Sequence, residues 1–124
     1  GEGQHVDLAQ VECMFPLVAP WIIAQSALGS PGPRLGNRHP RHVPHGAFPC
    51  AANGWLAVAV TDDAAWARLA ALLGRPDLAA LDAAARRGRE DELEALIAAW
   101  TRGREADAAM AALQAIGVAA GTVR

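Results

Sequence analysis

The sequence predicts an α+β fold, a small antiparallel sheet with three to four helices packed on one face. Three observations carry that expectation. Asn53-Gly54 lies between two apolar runs, the strongest short signal for a β-hairpin. Downstream, apolar residues recur at helical spacing in successive segments. Val118 to Val123 then reads as a returning strand that joins the hairpin.

The elements follow in order. Gly1-Glu2-Gly3-Gln4 is a polar turn, and His5-Val6-Asp7-Leu8 reads as a strand end. Leu8, Val11, Phe15 and Val18 keep helical spacing, but Pro16 and Pro20 are expected to kink or end that helix. Such an apolar segment cannot bury itself, and exposed Trp21-Ile22-Ile23 is expected to drive self-association. Residues 1–28 are thus assigned as a strand–helix segment of a larger domain.

Gly29, Gly32 and Gly36 with Pro31, Pro33, Pro40 and Pro44 mark residues 29–45 as an irregular, extended linker. Unstructured loops of that length are usually functional or connect domains. From 46 to 124 the pattern tightens into the small domain. A type I′ turn at Asn53-Gly54 would place both residues at positive φ. Thr61 or Asp62 caps a helix whose face is Trp66, Leu69, Ala70 and Leu73, and Gly74 ends it. A short helical stretch surrounds Leu78 and Leu81. The turn Arg86-Arg87-Gly88-Arg89 leads to a helix with Leu93, Leu96, Ile97 and Trp100 on one face, ending at Thr101. A last helix carries Ala106, Met110 and Leu113 to Gly117.

Composition narrows the function classes. The 124 residues are 52% hydrophobic and 19% charged, with net charge −2, which suits a globular core and gives no reason to expect nucleic acid or an anionic membrane as partner. The longest apolar stretch, Cys13 to Ala24, is broken by proline and falls short of the ~20 residues of a membrane span. Cys13 and Cys50 are expected to be free, buried thiols in a reducing cytoplasm. The absence of Met at position 1 suggests a start inside a longer chain.

Candidate chemistry concentrates in the linker. His39-x-x-His42-x-x-His45 with Cys50 offers zinc-ligand types, but Pro40 and Pro44 interrupt the spacing and no helix would align the rings. No metal is expected. Glu90, Asp91, Glu92 and Glu94 read as a solvated helix start favoured by the macrodipole. The four tryptophans are expected in the core or at domain contacts. The residues themselves present no catalytic set, only a basic, His-rich interdomain loop.

Several segments in order resemble one known family. Gly1-Glu2-Gly3-Gln4-His5-Val6-Asp7-Leu8 resembles its G-x-G-Q-x-V-D stretch, and Arg34-Leu35-Gly36-Asn37-Arg38-His39-Pro40 its R-x-G-N-x-H-P loop. Pro44-His45-Gly46-Ala47-Phe48, Asn53-Gly54-Trp55, Gly74-Arg75-Pro76-Asp77-Leu78, Arg86, Trp100-Thr101 and Gly117-Val118-Ala119-Ala120-Gly121 follow in matching order. The chain resembles the class III CoA-transferases, the CaiB/BaiF family, which also includes α-methylacyl-CoA racemases. His45 stands where Tyr is usual, Asn53 for Asp and Ala119 for Pro.

The resemblance implies a longer enzyme with a large Rossmann-like domain, acting in the cytoplasm as an interlocked homodimer on an acyl-CoA and a carboxylic acid. Coenzyme A would be part of the substrate, with no separate cofactor. Transferases of the family use an aspartate nucleophile and racemases a His/Asp pair, and in both these precede the G-x-G-Q segment. No catalytic residue is therefore expected here, and the 124 residues alone are expected to be inactive. Asn37, His39, Arg41 and His42 would line the substrate entrance. In known transferases a glycine-rich loop covers the reacting carboxylate; here that stretch reads His39-Pro40-Arg41-His42-Val43, without glycine. A 2-methylacyl-CoA racemase and a non-catalytic dimerisation module are the alternatives.

Overall fold

The computed structural model describes residues 1–30 and 32–123. Pro31 of the linker and the terminal Arg124 lie outside them. The chain divides into two compact units, Gly1–Arg34 and Leu35–Arg124.

The first unit is one long helix, α1 (Gln10–Leu28), preceded by nine residues without regular structure. No strand forms at His5–Leu8, because no chain among the described residues pairs with it and an unpaired strand leaves its backbone groups unbonded. Pro16 and Pro20 lie inside α1 and do not end it. They are four residues apart, so both lost N–H donors fall on one side of the helix and the remaining ladder is continuous. Gly29, at φ 69°, closes it by donating its N–H to the Gln25 carbonyl. With the prolines inside, α1 is long and apolar enough to cross a membrane by length and composition, a property shared by core helices of soluble proteins. None of its residues is buried, and Cys13, expected in a core, is exposed.

The second unit is the α+β layer. Strands β1 (His45–Pro49), β2 (Trp55–Ala59) and β3 (Ala119–Val123) form one antiparallel sheet in the order β1-β2-β3. Four helices accompany it: α2 (Asp63–Leu72), α3 (Ala83–Gly88), α4 (Glu90–Arg102) and α5 (Ala106–Ala115). The alternation of β2 decides its faces. Leu56 and Val58 point into the core, while Trp55 and Ala57 point out. Helix α4 packs on β1, and α5 on β2 and β3. Phe48, Leu56, Val58, Trp66, Leu69, Leu93, Ile97, Leu113 and Val118 make the core. Of the four tryptophans only Trp66 is fully buried, its indole N–H donating to the Leu78 carbonyl at 2.8 Å.

Caps set the helix starts. The Asp62 carboxylate accepts the Ala65 N–H at 2.7 Å, and Asp82 accepts that of Ala85 at 2.7 Å. Gly74 at φ 73° ends α2 as the pattern predicted.

The hairpin forms, but its turn is one residue earlier than Asn53-Gly54. Ala52 and Asn53 carry the positive φ values, 51° and 60°, and the Gly54 N–H bonds the Ala51 carbonyl at 2.9 Å. Gly54 itself is extended, at φ −71°. Tertiary packing shifts the turn: a Cβ at Gly54 would stand 3.2 Å from both the Ala106 Cβ and the Ala51 carbonyl oxygen. Glycine is needed there for close approach, and Asn53 supplies a side chain that tolerates the left-handed region.

The segment Arg86–Arg89, expected as a turn, is mostly helix α3, and Arg86 is buried. Its guanidinium donates to the Val43 carbonyl at 2.8 Å and the Leu81 carbonyl at 2.7 Å, and pairs with Asp63 at 2.7 Å. A buried arginine persists here with three of its five donors bonded, one of them to a carboxylate.

Candidate substrate-entrance loop

The residues between Leu35 and Pro44 have no regular structure, yet ties to two helices hold them against the rest of the second unit. Arg38 reaches α4, donating to both Glu94 oxygens at 2.8 and 2.7 Å and pairing with Asp91. Those carboxylates raise the guanidinium's pKa further. From α3, Arg87 donates to the His39 and Pro40 carbonyls at 2.7 and 3.0 Å, and Arg86 holds the carbonyl of Val43. Arg87 is held in turn by Glu90 at 3.0 Å.

The acidic start of α4 is therefore more than a solvated helix end. Glu90 is buried, and Glu90, Asp91 and Glu94 together receive Arg38 and Arg87. Helical spacing puts Glu90 and Glu94 on one face, one turn apart, and that face meets the loop.

The four residues expected to line a substrate entrance separate into two kinds. His39 and His42 come together, their rings stacked with centroids 4.4 Å apart and planes 16° from parallel. Asn37 and Arg41 are exposed, and their side chains make no hydrogen bond among the described residues. The His45 ring lies against His39 tilted by 42°, with centroids 5.4 Å apart, a residue the spacing singled out only as a metal-ligand type. The loop aligns the rings without a helix. Parallel stacking directs ring nitrogens past one another rather than to a common point, and no group of three His, Cys, Asp or Glu among the described residues is arranged to hold a metal ion.

Hydrogen bonding assigns the ring tautomers. The His39 Nδ1 accepts two backbone N–H groups, from Arg41 at 3.1 Å and His42 at 3.2 Å, so it carries no proton. His45 is the reverse: its Nδ1 lies 2.6 Å from the Asn37 carbonyl oxygen, which can only accept. Partial burial, the His42 and His45 rings and the Arg41 and Arg87 guanidiniums hold the His39 pKa below the ordinary imidazole value. A shallow cavity of about 210 Å³ lies beside the loop, lined by Leu35, Asn37, Arg38, His45, Phe48 and Glu94 among others.

The ties by which Arg38 and Arg87 join this loop to Glu90 and Glu94 were not read from the sequence. The only sequence signal is the (i, i+4) acid pair on α4 facing a segment of opposite charge.

The whole sequence, residues 1–124, matches the model of CoA-transferase family III. The chain belongs to that family. It is 32% identical over 127 residues to a succinyl-CoA–D-citramalate CoA-transferase of Chloroflexus aurantiacus, covering 99% of this chain and 32% of that protein. A probable CoA-transferase of Mycobacterium tuberculosis is 32% identical over 126 residues, covering 98% of this chain and 16% of that one. The crystal structure of a CaiB/BaiF family protein from Brucella suis superposes with a TM-score of 0.79 at 31% identity, covering 99% of this chain and 33% of that structure. The chain thus spans a third or less of the length of these family III relatives.

Proposed function

We propose that these residues form the small domain, linker and entrance loop of a CoA-transferase that moves CoA from an acyl-CoA to a carboxylic acid. Coenzyme A enters as part of the substrate, and no further cofactor takes part. The enzyme works in the cytoplasm as a homodimer. The nucleophile is an aspartate outside these 124 residues, which attacks the thioester carbonyl and releases CoA thiolate. The CoA thiolate then attacks the aspartyl carbonyl of the resulting acyl-aspartyl anhydride, releasing the donor acid and leaving an aspartyl-CoA thioester. The acceptor carboxylate attacks that thioester to form a new anhydride, and the thiolate takes the acceptor's acyl group, freeing the aspartate. The segment alone is inactive.

One observation carries this reading to the loop. Of the four arginines in and around it, Arg38 and Arg87 pair with Glu90, Asp91 and Glu94 and Arg86 with Asp63, whereas Arg41 is exposed with no acidic partner among the described residues. An arginine fork left open is suited to a carboxylate. The relative named for succinyl-CoA and D-citramalate acts on dicarboxylic compounds, so Arg41 is proposed to take the carboxylate that does not react.

The test uses the full-length protein. With succinyl-CoA and a set of dicarboxylic acids, mass spectrometry should find CoA on the acceptor, and hydroxylamine should trap an acyl-enzyme. Arg41→Ala should raise KM for the acid roughly tenfold or more, as for loss of one charge-assisted contact, with kcat little changed. Exchange of the α-proton of a 2-methylacyl-CoA in D₂O without CoA transfer would overturn the reading in favour of a racemase.

A further inference from the structure

The loop His39–Val43 is gripped on both of its hydrogen-bonding sides, by unlike groups. Its carbonyls, at His39, Pro40 and Val43, are held by Arg87 and Arg86, which remain charged at every physiological pH. Its N–H groups, at Arg41 and His42, have one acceptor among the described residues, the His39 Nδ1. A ring nitrogen accepts only while it is unprotonated. We propose that neutral His39 is the positioning residue of this loop, and that adding a proton at its Nδ1 releases Arg41 and His42.

His39 bonds the N–H groups two and three residues ahead, the pattern by which Asn or Asp caps a turn. Here an imidazole performs it and brings a titration near neutral pH, which an amide would not. Once protonated, Nδ1 becomes a donor facing two donors, and both contacts are lost together. The charged groups around the ring reinforce the neutral form. They are Arg41 and His42 in the loop, His45 on β1 and Arg87 on α3, all cationic or able to become so, while Glu90 is engaged by Arg87. The His42 ring, stacked on His39 with a buried Nδ1 that has no partner, gives no compensating contact. The consequence for catalysis rests on the function proposed above: acid would weaken binding of the carboxylic substrate by disordering Arg41 before it touched the chemistry.

Amide hydrogen exchange on the full-length protein tests this, with rates corrected for intrinsic pH dependence. Protection of the Arg41 and His42 amides should fall roughly tenfold or more between about pH 8 and about pH 5 in the native protein. His39→Asn, whose side-chain oxygen can take the same two N–H groups, should keep protection at both. Unchanged protection in the native protein, or an equal fall in His39→Asn, overturns the proposal. His39→Ala should be unprotected at both; if it does not fold, the other two proteins decide. KM for the acid should rise with acid in the native enzyme and stay flatter in His39→Asn. If exchange behaves as expected while KM does not follow, His39 positions the loop and the placing of the loop at the substrate entrance is wrong.

Discussion

The two units of this chain use apolar residues in opposite ways. In Leu35–Arg124, apolar side chains recur on one face of each helix and alternate along β2, and those faces meet in a core whose largest members have no exposed surface. In Gly1–Arg34, Val11, Met14, Phe15, Leu17, Val18, Ile22 and Ile23 lie all around α1, and every one is exposed. A striped helix finds its partner in a small sheet; an apolar cylinder needs cover on all sides. The difference teaches that the second unit satisfies itself and the first does not.

The sharpest way to break this contrast is to remove the same atom group from both units. Trp66→Ala should cost the folded state about 4 kcal/mol, from the cavity and the orphaned Leu78 carbonyl. Trp21→Ala should leave a denaturant midpoint within about 0.5 kcal/mol of the original, as for other exposed positions. Equal losses would refute the division.

Next in size, Arg86→Leu should cost about 3 kcal/mol, since it leaves two loop carbonyls, of Val43 and Leu81, without donors although it adds apolar volume. Thermal melts would read it, and an unchanged midpoint would mean that water replaces the guanidinium.

Turn chemistry comes third. Gly54→Ala should destabilise by about 1–2 kcal/mol through overpacking against Ala106, while Ala52→Gly should stabilise by up to about 1 kcal/mol by relieving a left-handed alanine. Two effects of the same sign would place the turn back at Asn53-Gly54.

The smallest effects are in pH. The His39 pKa is held below its unfolded value, so its contribution to stability is complete above about pH 6.5 and is lost as pH falls through the folded value. Asp62 is depressed chiefly by the Ala65 N–H, so the stability it contributes is present above its ordinary value, about 3.9, and lost below it. Acid titrations followed by circular dichroism should show the first step vanish in His39→Asn and persist in Asp62→Asn.

For the first unit the matching experiment is association. The 124-residue chain should sediment as more than a monomer, and Ile22→Glu with Ile23→Glu should reduce that without shifting the melt of the second unit. A strictly monomeric profile of the unaltered chain would show that α1 finds cover within the chain.

Which parts were legible follows from the range of the interactions that decide them. Trp66, Leu69 and Ala70, and Leu93 and Ile97, stand at helical spacing, and their burial could be read because neighbours three and four residues apart define a face. Asp62 and Gly74 announce helix ends through their own side chain or its absence. The ordered motifs gave the family in the same way, residue by residue.

The loop's architecture could not be read so. Arg38 meets Glu94 across 56 residues and Arg86 meets Val43 across 43, and nothing local distinguishes these arginines from solvated ones. Gly54 looked like a turn residue until Ala106 packed against it. His39, His42 and His45 had the spacing of ligands, and only the fold of the loop stacked His39 on His42, with His45 tilted beside them, and made the His39 Nδ1 an acceptor. The sequence by itself determined the elements, their faces and the family, because those depend on residues close along the chain. Tertiary structure alone decided which charges are buried and which arginine stays open, because those depend on partners that only the folded chain brings within reach.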